Sequence, residues 1–108
     1  MVSDWMEDSI DMASGTIYKI LMRQINKYFS VDSLIEDFQA WIPGGEMTVA
    51  WYADVLTGRL YGLIDAADAL GISDMKMQKM KDSVCWAEEN IMRAHKAVQD
   101  SMNTCKAA

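Results

Sequence analysis

Reactive side chains are few in this 108-residue chain, and their spacing limits what they can do. His95 is its one histidine, and the residue three positions ahead of it is Met92, so the Glu-x-x-His pairs that hold di-iron in helical bundles are absent. Glu88 and Glu89 are adjacent, which on a helix points them about 100° apart. Asp65 and Asp68 are spaced to share a helix face, but metal-assisted phosphate chemistry on helices needs carboxylates converging from more than one of them, and no second pair answers this one. Cys85 and Cys105 lack a zinc or redox spacing. Gly44-Gly45 follows Pro43 without the lysine and hydroxyl of a phosphate-cradling loop. The expectation is a protein with no catalytic residues, no metal and no cofactor.

Charge and composition narrow the partners. A formal charge of -6 makes the bulk surface repel nucleic acid phosphates and suits proteins with basic patches. No apolar run reaches the roughly 18 residues that suggest a membrane span, and the start, with Asp4, Glu7 and Asp8, lacks the basic opening of a secretory signal. The two cysteines read as free thiols in a reducing compartment, Cys85 beside Trp86 as a small residue buried or half-buried. A soluble cytoplasmic protein with no membrane partner is expected.

The elements that position these residues are helices. Val49, Ala53, Leu56, Leu60, Leu63, Ala67 and Leu70 recur at steps of four and three, which puts them on one helical stripe, and Met77, Met80, Val84, Ala87, Ile91, Ala94 and Val98 do the same. Between them, Gly71 can take the left-handed conformation that ends a helix, and Ser73 can cap the next. So short a connection forces the two arms, about 47–70 and 73–102, into an antiparallel hairpin that sets Ala67 near Met77, Leu60 near Val84 and Ala53 near Ile91.

The rest of the chain reads as covering helices. Residues 3–14, with Ser3 as cap, form a short acidic helix bearing Trp5, Met6 and Ile10, which Gly15 ends. Ile17, Ile20, Leu21, Ile25 and Tyr28 give the next an apolar face, with Lys19, Arg23 and Lys27 along another. Ser30 caps a third helix carrying Leu34, Ile35, Phe38, Trp41 and Ile42, which Pro43-Gly44-Gly45 stops. Thr48 is the expected cap of the first hairpin arm, with Met47 and Tyr52 as a hydrophobic staple, and residues 103–108 are expected to fray. The fold class is all-α: one domain over 1–108, a bundle of four or five helices in which 1–45 covers the hairpin at 46–102.

Two local patterns resemble known families. Ala66-Ala67-Asp68-Ala69-Leu70-Gly71-Ile72-Ser73, followed by Met77 and Met80, resembles the helix-turn-helix of DNA-binding proteins, which implies DNA contacts from Lys76, Gln78, Lys79 and Lys81. Cys85-Trp86-Ala87 with Ile91 and Arg93-Ala94 is similar to helical-hairpin phage proteins that oligomerise and sequester cyclic nucleotide signals, which implies an oligomeric sponge.

A third feature carries the preferred reading. Ala50, Gly58, Gly62 and Ala66 line one face of the first arm, and each glycine inside a helix costs about 1 kcal/mol relative to alanine. Close approach of another backbone offsets such a cost. Ten methionines add adaptable apolar surface. Met75, Trp86 and Met92 lie off the seam, and the large apolar side chains left outside a core mark an interface. Gly58, Gly62 and Ala66, with Trp51, Trp86 and Met92 as anchors, are the candidate contact residues of a non-enzymatic, acidic interaction module. It self-associates or binds a protein partner, as a small phage-type inhibitor of a host protein does.

Overall fold

In the computed structural model the backbone is described from Asp4 to Ala107 and the side chains from Gly15 to Thr104. The hairpin forms as its periodicity requires. α3 (Glu46–Ala69) and α4 (Asp74–Ala107) pack against each other, preceded by α1 (Asp4–Tyr28), α2 (Val31–Gln39) and a 3-10 turn at Ile42–Gly44. No strand occurs among the described residues. All seven expected α4 positions from Met77 to Val98 are buried, opposite Val49, Ala53, Leu56, Leu60 and Ala67 of α3. Leu60 and Val84, and Ala53 and Ile91, share one apolar cluster; Ala67 and Met77 share the other. Leu70 departs from the pattern at 46% exposed, because it caps α3 beyond the level at which α4 begins.

The turn follows its residue types. Gly71 has φ 72°, its N–H donates to the Asp68 carbonyl at 3.1 Å, and the Ile72 N–H donates to the Ala67 carbonyl at 3.3 Å. This bond pair satisfies carbonyls that a helix end leaves without partners, and Ile72 packs in the same cluster as Ala67. The Ser73 carbonyl accepts the first bond of α4 from Met77 at 2.8 Å. Ser30 caps α2 as expected, accepting from the Ser33 N–H at 3.3 Å.

Four local expectations are corrected. α1 runs straight through Gly15, since about 1 kcal/mol of propensity is a penalty and not a stop, and Gly15 keeps a negative φ. The expected Ser3 cap and the side chains of Trp5, Met6 and Ile10 lie outside the described residues. Thr48 does not cap α3: Gly45, at φ 88°, occupies that position, and the Thr48 hydroxyl donates back to the Gly44 carbonyl at 2.9 Å. Met47 is 87% exposed, so it forms no staple with the buried Tyr52. The expected frayed tail continues α4 to Ala107, with the Thr104 hydroxyl donating to the Asp100 carbonyl at 2.8 Å.

α4 is the spine. Near the turn, Tyr18, Leu21 and Met22 of α1 pack on Ala67, Ile72, Met77 and Met80. Further along, the buried Asn90 side chain donates to the Phe29 carbonyl at 2.9 Å, and Phe38 of α2 stacks on His95 at 5.8 Å. α1 and α2 therefore lie end to end along α4 and parallel to it, and α3 returns antiparallel. Gly15 faces Lys76 at the head of α4, so the α1 residues before it continue past the hairpin turn. At 1.5 Å per residue α4 is about 51 Å long and that extension about 16 Å. Together they account for a rod 70 Å long and 18 Å across.

Candidate interaction groove

A groove of about 500 Å3 opens between α1 and α3. Gln24, Tyr28 and Phe29 line it from the α1 side, and Leu56, Arg59, Gly62 and Leu63 from α3, with Asp37 at its end. It exists because the apolar face of α1 is wider than α4 alone can cover. Ile25 is fully buried, whereas Ile20 and Tyr28 remain 48% and 47% exposed, Tyr28 lining the groove. On α3 the wall opposite carries a glycine, so the groove stays broad enough for the backbone of an added helix to approach.

Gly58 and Gly62 are both exposed, and a Cβ built on either meets nothing within 4 Å. Within the chain the small-residue stripe therefore packs against no backbone, which corrects that part of the expectation; the stripe faces outward, Gly62 into the groove and Ala66 one turn beyond. In the isolated chain, Gly58→Ala and Gly62→Ala are each expected to stabilise the fold by about 0.5–1 kcal/mol through helix propensity alone. Urea denaturation of each variant checks this, and a loss of stability would show that the chain itself needs the glycines.

The candidate anchors do not converge. Trp51 is 55% exposed and meets the Trp41 ring edge-on at 5.6 Å, at the far end of α3. Trp86 and Met92 are exposed on α4, but six positions apart they point about 120° from each other. Cys85, expected to be buried or half-buried, is exposed. Of the groove residues, sequence pattern placed Tyr28 and Leu63 on apolar helix faces without joining them into one site, and Arg59 was not singled out.

The basic residues at the hairpin turn also diverge. Lys76 is half-buried over the Tyr18 ring at 5.6 Å, and Gln78 is held by the Asp82 carboxylate at 3.0 Å. Lys79 is exposed on the flank of Lys76, and Lys81 on the flank of Gln78. Met77 and Met80, which open the would-be recognition helix, are buried in the seam. Among the described residues no group of three or more His, Cys, Asp and Glu is placed to hold a metal, and no helix is long and apolar enough to cross a membrane.

The ionisable end of the groove centres on Tyr52. Its hydroxyl donates to an Asp37 carboxylate oxygen at 3.4 Å, and its ring lies 4.9 Å from Trp41 and 5.7 Å from Phe38. Burial first, and then the Asp37 charge, raise the phenol above its ordinary value of 10.0, with Arg59 pulling the other way. Tyr61 is raised too, by its hydrogen bond to Glu88. Above pH 10.0 the unfolded chain loses these protons before the folded one does, so the native state binds more protons and stability falls as pH rises. Urea midpoints from pH 8 to 11 are expected to decline above 10, less steeply in Tyr52→Phe; a flat wild-type profile would contradict this.

Comparison of the chain with protein-family models, with curated protein sequences and with solved structures yields no match.

Proposed function

We propose that this protein is a non-catalytic interaction module whose α1–α3 groove receives a helix from another protein molecule, either a second copy or a different protein. The observation that carries this is the groove itself: an open trough with Leu56, Leu63 and Phe29 in its lining, a glycine in one wall and the exposed Tyr28 along the other. Amphipathic helices bind such troughs by laying an apolar face into them. A net charge of -6 on the chain favours partners with basic patches.

Light scattering coupled to size exclusion, across a concentration series, tests self-association. The expected result is a species heavier than the 12.2 kDa chain, which Gly62→Leu returns to monomer while helical circular dichroism is unchanged. A Cβ added at Gly62 meets no atom within 4 Å, so the larger side chain starts into open space. An assembly that survives Gly62→Leu would remove the groove from the interface. A monomer at every concentration would leave a different protein as the occupant.

A further inference from the structure

Two indole rings meet in the open at the end of α3 away from the hairpin turn. Trp41, just past α2, and Trp51 are both exposed, and their ring centroids lie 5.6 Å apart, edge-on. The buried Tyr52 supports the pair from beneath, 4.9 Å from the Trp41 ring, and donates to Asp37. Met47 stands one turn ahead of Trp51 on the same side of α3 and is the most exposed large apolar side chain described. Neither indole lines the α1–α3 groove, so this is a second surface. Adjacent indoles left in water are the residue type that most often anchors a contact.

The charge around the rings has one sign. From Tyr28 to Gly58 the chain carries Asp32, Glu36, Asp37, Glu46 and Asp54 and no lysine, arginine or histidine. Asp37 lies one turn before Trp41, and Asp54 three residues after Trp51, so an exposed carboxylate stands one helical turn from each ring. Asp37 accepts a long 3.4 Å bond from Tyr52, and Asp54 forms no ion pair among the described residues. Arg93 and Lys96 of α4 are exposed about 150° around that helix from the face that Ile91, Ala94 and Val98 turn to the core, on the side away from the rings. Arg59 follows Trp51 by eight residues, about 12 Å along α3.

We propose that the Trp41–Trp51 surface takes an arginine-bearing segment of another protein, the guanidinium lying against an indole face and pairing with Asp37 or Asp54. An arginine side chain meets both features at once, because its planar cation stacks on aromatic rings and its fork of N–H groups donates to a carboxylate. A lysine ammonium supplies the charge without the plane. A second copy brought face to face would set the same carboxylates against each other, and the phosphates of nucleic acid or of an anionic bilayer meet the same repulsion. Occupation of this surface does not depend on occupation of the groove.

Titration with a nonaarginine peptide tests this, with nonalysine as the probe of charge alone. The indole N–H resonances of Trp41 and Trp51 are expected to shift on adding nonaarginine, and nonalysine is expected to bind more weakly. Trp51→Ala removes an exposed ring and is expected to lower nonaarginine affinity by about five-fold, nonalysine affinity by less, with unchanged helical circular dichroism. Should that truncation disturb the fold, Asp54→Lys tests the same surface without touching the rings, and undiminished nonaarginine binding in that variant would overturn the site. Equal affinities for the two peptides, with no effect of Trp51→Ala, would show diffuse attraction to an acidic chain and would also overturn it. Shifts confined to the other two indoles, or binding of neither peptide, would do the same. Gly62→Leu is expected to leave peptide binding unchanged, so the groove and this surface are judged separately; loss of nonaarginine binding in that variant would place the peptide in the groove instead.

Discussion

Phe38→Ala is expected to lower the unfolding free energy by about 3–5 kcal/mol. Phe38 is 0% exposed and ties three helices together, meeting Tyr52 of α3 edge-on at 5.7 Å and His95 of α4 face to face at 5.8 Å. α2 has nine residues, too few to persist as a helix without docking. Its buried anchors are Leu34 and Phe38, so truncating one opens a void between rings that cannot collapse far. The His95 Nε2 atom is already enclosed without a hydrogen-bond partner, and loss of the covering ring leaves that imidazole with less packing. Domains of this size are stable by only about 5–15 kcal/mol, so the change takes a large share of the total. Urea denaturation should show a much lower midpoint; a loss below about 1 kcal/mol would mean that α2 is not held through this ring.

The hairpin was legible because burial repeats every three or four residues, and that repeat survives in the side-chain types of both arms. Leu70 is the exception that shows what the repeat omits: a position can match the stripe and still lie past the end of the facing helix. Turn chemistry was legible at Gly71 and Ser30, where one conformation or one hydroxyl bond decides the outcome. It misled at Gly15 and at Thr48. Glycine lowers helix propensity by an amount that flanking packing overrides, and a hydroxyl at a helix start donates backward as readily as it caps forward.

The groove was less legible, because it is defined by what no element covers. The exposed stripe at Gly58 and Gly62 was visible as a stripe, but a residue without a side chain leaves no trace of the direction it faces. Trp86 and Met92 were correctly placed off the seam, yet being off the seam does not put two residues on one side of a helix.

Asn90→Ala is expected to cost about 1–3 kcal/mol, chiefly by leaving the Phe29 carbonyl without a partner. α1 ends at Tyr28 and α2 begins at Val31, so Phe29 sits at a break where a helix presents carbonyls that have no intrahelical donor. Asn90 is the one buried polar residue among those described, at 4% exposed, and its amide fills that role from a helix 61 residues later in the chain. Nothing in the surrounding pattern distinguishes it from the exposed Glu89 beside it. Because this bond joins the end of α1 to α4, its loss should loosen the wall of the groove that Tyr28 and Phe29 form. Asn90→Asp separates packing from bonding. A carboxylate next to a carbonyl is repulsive, so it is expected to be worse than alanine at pH 7. Protonation turns the group into a donor, so part of the loss should return as the pH falls. Urea midpoints at pH 7 and pH 4 for both variants decide the matter: equal effects at both pH values would show that Asn90 fills space and does not hold the Phe29 carbonyl.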